Sequence, residues 1–241
     1  MKNNRRSLLP GFLSYGIGVT VGLFLIVVST WADLESSSYD FPRLANAGLG
    51  GFRCPVLMTP QERGTISLHV SNTTSNRLSP SIRTQISTAL LPEEFLEDLQ
   101  LIPGETKRLE WVVDAENIDM GYFIFAKVLL FSAYPIPSRE ATCGILILDL
   151  PVTGKMIVPV LVGLSLISMV WGLHSINRLS TSDASMQKHR SAMAFLAIMI
   201  GLGLVFIFIG GWIPSLLVLV VSLLLVIILL NSAFVDKPTW T

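Results

Sequence analysis

Between Ser191 and Phe234 the chain runs for 44 residues without a charged side chain. A helix rises about 1.5 Å per residue, and a bilayer core about 30 Å thick takes about 20 apolar residues. The stretch is too long for one crossing and must fold back on itself. Gly210-Gly211-Trp212-Ile213-Pro214 supplies the break. Glycines and a proline suit a tight turn, and a tryptophan suits the membrane interface. Two spans are expected here, at 192–209 and 215–233, with an outer turn at 210–214. Two further apolar stretches are long enough to cross: GFLSYGIGVTVGLFLIVVSTW at 11–31 and MIVPVLVGLSLISMVWGL at 156–173. The expected fold class is an α-helical membrane protein with four transmembrane helices and an insertion between the first and second.

The charges orient these spans. Net charge is zero, but 32–155 holds 15 acidic and 10 basic side chains, a net −5. The rest is basic: Lys2, Arg5 and Arg6 lie in 1–10, Arg178, Lys188 and Arg190 in the loop 174–191, and Lys237 in the tail 234–241. Positive residues collect on the cytoplasmic side. Both termini and the loop 174–191 are therefore expected in the cytoplasm of a cell bounded by this membrane, with 32–155 outside. A basic start before an apolar run also fits a cleaved signal peptide. The run of about 20 residues exceeds the usual apolar core of about 7–15, and Trp31 suits a cleavage site poorly, so an uncleaved anchor is expected. The charge pattern offers no basic face to nucleic acid.

The insertion reads in two parts. Residues 32–51 are polar and weakly periodic, as expected of a juxtamembrane linker. From Phe52 the pattern turns to period two. Ile66, Leu68 and Val70 share one face of TISLHVSN, as Ile82, Thr84 and Ile86 do in SIRTQIST and Leu109, Trp111 and Val113 in KRLEWVV. YFIFAKVLLF is apolar on both faces and reads as a central strand, and CGILILDL closes the series. Turn residues punctuate these runs at Pro103-Gly104 and Asn117–Gly121. Such a series predicts an all-β sandwich over 52–152. LPEEFLEDLQ interrupts it, and its Pro92, Glu93 and Glu94 read as a solvated helical turn or loop.

A strand ending in VSN, then a second strand, then IPGETKRLEWVV with its PGE turn, resembles bacterial immunoglobulin-like modules of the cell-adhesion-related and fibronectin-like kind. The resemblance covers roughly residues 52–150. It implies a fold and a location, and no activity.

Cys54 and Cys143 bracket the insertion in a compartment that permits disulfides, and a structural bridge is expected. The CxxC spacing of a redox pair is absent. Ser14, Gly18 and Gly22 recur every four residues on the first span, as Ala197 and Gly201 do on the third; such faces allow close helix approach in lipid. That approach serves either the chain's own bundle or another membrane subunit. Asn72-Thr73-Thr74 matches a glycosylation sequon.

Catalytic patterns are missing from the sequence. His69, His174 and His189 lack partners at metal-ligand spacing, and there is no HExxH or GxSxG. The spans hold no ionisable side chain in their interiors, where carriers usually keep one. No enzyme activity, metal or cofactor is expected. The leading expectation is a non-enzymatic membrane protein that presents an immunoglobulin-like domain to other proteins, as an accessory or assembly subunit. Its partners would be the lipid bilayer and a membrane protein or a second copy. The alternatives are a transport or channel component with a conduit in the C-terminal helices, and a receptor for a small extracellular ligand.

Overall fold

The computed structural model describes residues 2–39, 44–45, 47–131, 134, 136–179 and 184–235. Among these residues, four helices are long and apolar enough to cross a membrane. They are α1 (Lys2–Ser38), α2 (Gly154–Leu179), α3 (Ala184–Ile209) and α4 (Trp212–Val235). Each extends past the apolar limits read from sequence, because helical hydrogen bonding does not stop where hydrophobicity does. Gly210, at φ 78°, makes the turn between α3 and α4. The chain divides into two compact units: Met1–Val27, Pro159–Ile207 and Ile213–Thr241 form one, and Val28–Val158 with Phe208–Trp212 the other.

The first unit is helical. Its buried cluster includes Tyr15, Val19, Met169, Leu196, Ile200 and Leu219. Serine hydroxyls tie α1 to α2: Ser14 Oγ donates to the Ser168 carbonyl at 3.0 Å and Ser165 Oγ to the Gly18 carbonyl at 2.8 Å. The Tyr15 hydroxyl donates to the Met193 carbonyl on α3 at 2.7 Å. In an apolar surrounding such bonds keep small polar groups from being stranded.

The second unit is built on β-structure. Its strands are β1 (Ala47–Gly48), β2 (Phe52–Arg53), β3 (Leu57–Met58), β4 (Gly64–Ser71), β5 (Ser81–Ile86), β6 (Glu93–Asp98), β7 (Thr106–Val113), β8 (Phe123–Phe131) and β9 (Arg139–Ile147). The larger sheet runs β1-β9-β8-β5-β6, with β3 also on β9; the smaller runs β2-β4-β7. Ile66, Leu68 and Val113 of the smaller sheet join Ile82, Ile124, Val128 and Ile145 of the larger in one buried cluster. Period-two alternation along β4 and β5 delivers these side chains to one face.

β6 corrects the reading of 92–98 as a helical turn or loop. Glu93–Asp98 pairs antiparallel with β5, Glu94 opposite Gln85 and Asp98 opposite Ser81. Neither face of this strand is buried, so it shows no apolar alternation.

The linker expected at 32–51 is corrected in its first part. Residues 32–38 continue α1 and lie on the outer face of the larger sheet. Ala32 sits against Gly144 of β9 so closely that a Cβ there would collide with the Ala32 carbonyl. The Gly144 N–H donates to Asp33 Oδ1 at 3.1 Å, and Ser36 Oγ donates to the Cys143 carbonyl at 2.8 Å. The Trp31 ring meets Phe123 edge-on at 5.7 Å, and the Tyr39 ring lies 4.6 Å from Phe125. Ala-Asp-Leu-Glu-Ser-Ser-Ser is a poor helix former in water. It is helical here because its side chains find partners on the sheet.

Candidate functional site

Three features of the β unit hold its polar chemistry and its open surface. The first is a buried ion pair under the chain that follows α1. The even-numbered residues of β8 face the smaller sheet. Phe123, Phe125, Lys127 and Leu129 take the other face and are buried as well. Lys127 Nζ lies 3.2 Å from Glu140 Oε2 on β9, with side chains 4% and 13% exposed. Glu140 Oε2 also accepts the backbone N–H groups of Leu44 at 2.9 Å and Ala45 at 3.0 Å. Burial pushes the Glu140 carboxyl up. The two N–H donors and the Lys127 ammonium outweigh that and hold it below the ordinary carboxylate value. The arrangement can pin the backbone at 44–45 to the sheet.

The second feature is the edge at β6. Among the described residues it pairs only with β5, so one side of its backbone faces away from the sheet. Arg83 Nη2 binds Glu94 at 2.6 Å, Ser81 Oγ donates to Asp98 at 2.6 Å, and the Trp111 indole N–H reaches Glu97 from β7 at 3.1 Å. Phe95 and Leu96 stand exposed between these acids. An edge of this kind can accept a further strand, with charge and apolar side chains to select it.

The third is a cleft of about 450 Å³ at the end of the unit where β4 and β8 finish and β9 begins. Val70, Leu78, Leu101, Leu130 and Ile136 line it, and His69, Thr74 and Arg139 bring polar groups to it. Asn72, 1% exposed, braces the adjoining turn. Its Nδ2 donates to the Asn76 and Leu101 carbonyls, and its Oδ1 accepts from the Thr74 N–H and hydroxyl. The sequon amide is thus committed to holding the fold. Among the described residues no cluster of three or more His, Cys, Asp or Glu could hold a metal.

The residues singled out from sequence fall in several places. Cys54, just past β2, and Cys143, on β9, are joined as a disulfide with Cα atoms 6.4 Å apart. Gly18 and Gly22 lie on the face of α1 against α2: a Cβ at Gly18 would meet the Ser165 carbonyl oxygen at 2.6 Å, and one at Gly22 the Ser165 hydroxyl at 2.6 Å. Ser14 is bonded to α2 on the same face. Ala197 packs at the helical cluster, whereas a Cβ at Gly201 would meet nothing within 4 Å. Sequence reasoning missed the β6 edge and the Lys127–Glu140 pair. The lone lysine inside FIFAKVLLF was the signal for the pair, since a buried ammonium demands a carboxylate nearby.

No family model matches the chain, and no curated protein matches it. Solved structures with local likeness include a CARDB domain from Pyrococcus furiosus, 14% identical over 45% of this chain and 99% of that one, at TM-score 0.33. A Paenibacillus sp. cycloisomaltooligosaccharide glucanotransferase is 14% identical over 41% of this chain, also at 0.33. A Bacteroides uniformis β-glucuronidase is 14% identical over 39% of this chain and 12% of its own, at 0.30. The chain spans 14% of the length of the glucanotransferase.

Proposed function

We propose that this chain is a non-enzymatic, multi-pass protein of the plasma membrane that holds an immunoglobulin-like sandwich outside the cell for binding other proteins. On this reading it is an accessory or assembly subunit of a membrane complex. The four apolar helices and the excess of Lys and Arg outside 32–155 support the orientation, with both termini cytoplasmic. The exposed β6 edge carries the binding reading, because a six-residue strand open on both faces offers main-chain pairing together with side-chain selection. The test is purification from the native membrane in mild detergent, comparing wild type with Leu96→Arg. Leu96 is exposed, so the variant leaves the core alone. A stoichiometric partner that leaves with Leu96→Arg supports the proposal. A wild-type protein that always emerges alone defeats it.

The cleft favours a second reading, a receptor for a small ligand. Its apolar lining and few polar groups are the composition such sites use. A ligand there should raise the melting temperature of wild type and leave that of Leu130→Trp unchanged.

A further inference from the structure

One end of the β unit gathers exposed apolar side chains from three separate connections. Leu90 and Leu91, 93% and 79% exposed, form the tip between β5 and β6. Met120 and Tyr122 are exposed in the turn before β8, as are Leu150 and Val152 between β9 and α2. Strand register puts all three connections at the same end. The Ser87 N–H donates to the Phe125 carbonyl and the Ile147 N–H to the Tyr122 carbonyl, each at 2.8 Å. The end of β5, the start of β8 and the end of β9 are therefore level with one another.

The end of α1 from Val28 and the start of α2 up to Val158 belong to this unit, and both meet it at this same end. Trp31 of α1 packs on Phe123, the first residue of β8. The first residue of α2, Gly154, donates its N–H to buried Glu62 at 2.7 Å. A Cβ on Gly154 would meet the Leu57 carbonyl, and Leu57 pairs with Leu146 near the end of β9. The β5–β6 tip is also held in shape. Thr88 Oγ1 donates to the Leu91 carbonyl at 2.6 Å and accepts the Leu90 N–H at 3.4 Å, which keeps both leucines outward.

We propose that these three loops form a collar seated in the headgroup region of the outer leaflet, with Leu90 and Leu91 reaching the acyl boundary. Apolar residues at this depth leave water without entering the core. Tyrosine and tryptophan suit it because one end of each ring is apolar and the other wet. Six exposed apolar side chains at the end of the unit where 28–38 and 154–158 attach are then a matched lipid surface, for which no protein partner is required. The collar rests on the reading of α1 and α2 as membrane spans, and the test separates the two.

A photoreactive benzophenone amino acid is placed singly at positions 90, 91, 102 and 228 of the full chain in its native membrane, and adducts are identified by mass. Ile102 is exposed at the opposite end of the β unit, by the Leu78–Leu101 bridge, and Ile228 is exposed on α4. Lipid adducts at 90, 91 and 228, and their loss at 102, are expected. Lipid at 228 with only protein adducts, or none, at 90 and 91 overturns the collar alone. Equal lipid labelling at 91 and 102 overturns it too. No lipid at 228 overturns the spans and the collar together. Two tip positions guard against a single misfolded variant.

Discussion

Replacing Glu140 by glutamine should destabilise the β unit more than any other single isosteric change on its outer face. The perturbation leaves Lys127, whose side chain is 4% exposed, facing a neutral amide at the site of its 3.2 Å ion pair. Removing one partner of a buried pair costs about 3–5 kcal/mol, because the remaining ion loses that counter-charge without regaining water. Lys127→Met should cost less, about 1–3 kcal/mol, since Glu140 keeps the N–H groups of Leu44 and Ala45. The double variant should fall short of the sum by about 1–3 kcal/mol, the coupling expected of groups in contact. The assay is denaturant unfolding of the full chain in detergent, followed through hydrogen exchange of β8 and β9. The pH dependence has a definite sign. The Glu140 carboxyl is held below its ordinary value, so its contribution is complete above the ordinary carboxyl range, about 4.3. It is lost as pH falls through the depressed value. The gap between wild type and Glu140→Gln should be constant at neutral pH and close in acid. A neutral-pH gap within about 0.5 kcal/mol, the usual range of surface substitutions, would refute the buried pair and the pinning of 44–45.

Three further changes test other parts of the fold. Removing the bridge with Cys54→Ser and Cys143→Ala together opens a separation of 89 residues; chain entropy sets an upper loss of about 4.6 kcal/mol, read by denaturant unfolding without reductant. Gly144→Val drives a side chain into the Ala32 backbone; a loss of about 1–3 kcal/mol is expected, with faster amide exchange confined to 32–38. Gly18→Leu places bulk on the Ser165 carbonyl and should lower the melting temperature of the helical unit in detergent, whereas Gly201→Leu, at an open position, should not.

The helices and the principal strands were legible because their signals are strong and local. Uncharged runs of about 20 residues have few alternatives to a membrane helix. The alternation in TISLHVSN and SIRTQIST becomes β4 and β5 because one face is buried throughout and the other only in part. β6 was hidden for the opposite reason. Glu94, Glu97 and Asp98 find their partners in Arg83, Trp111 and Ser81, which no local pattern announces. The same holds for Leu90 and Leu91, which look like ordinary core leucines in a list of residues and become informative only once found exposed on an ordered tip.

The helical run at 32–38 was hidden differently, and the sequence held half of the answer. YFIFAKVLLF is apolar on both faces, and a strand buried on both faces needs two covering layers. The smaller sheet covers Ile124, Ala126, Val128 and Leu130. Phe123 and Phe125 then require a second cover, and the polar segment after Trp31 was the one stretch left without a role. Its polarity argued for a linker only while its partners were unknown. Asp33 and Ser36 are used on backbone groups of β9, and the small residues Ala32 and Gly144 let helix and sheet approach. An apolar strand face without a cover and a polar segment without a fold were one problem: the segment covers the face, and its polar side chains satisfy the backbone they bury.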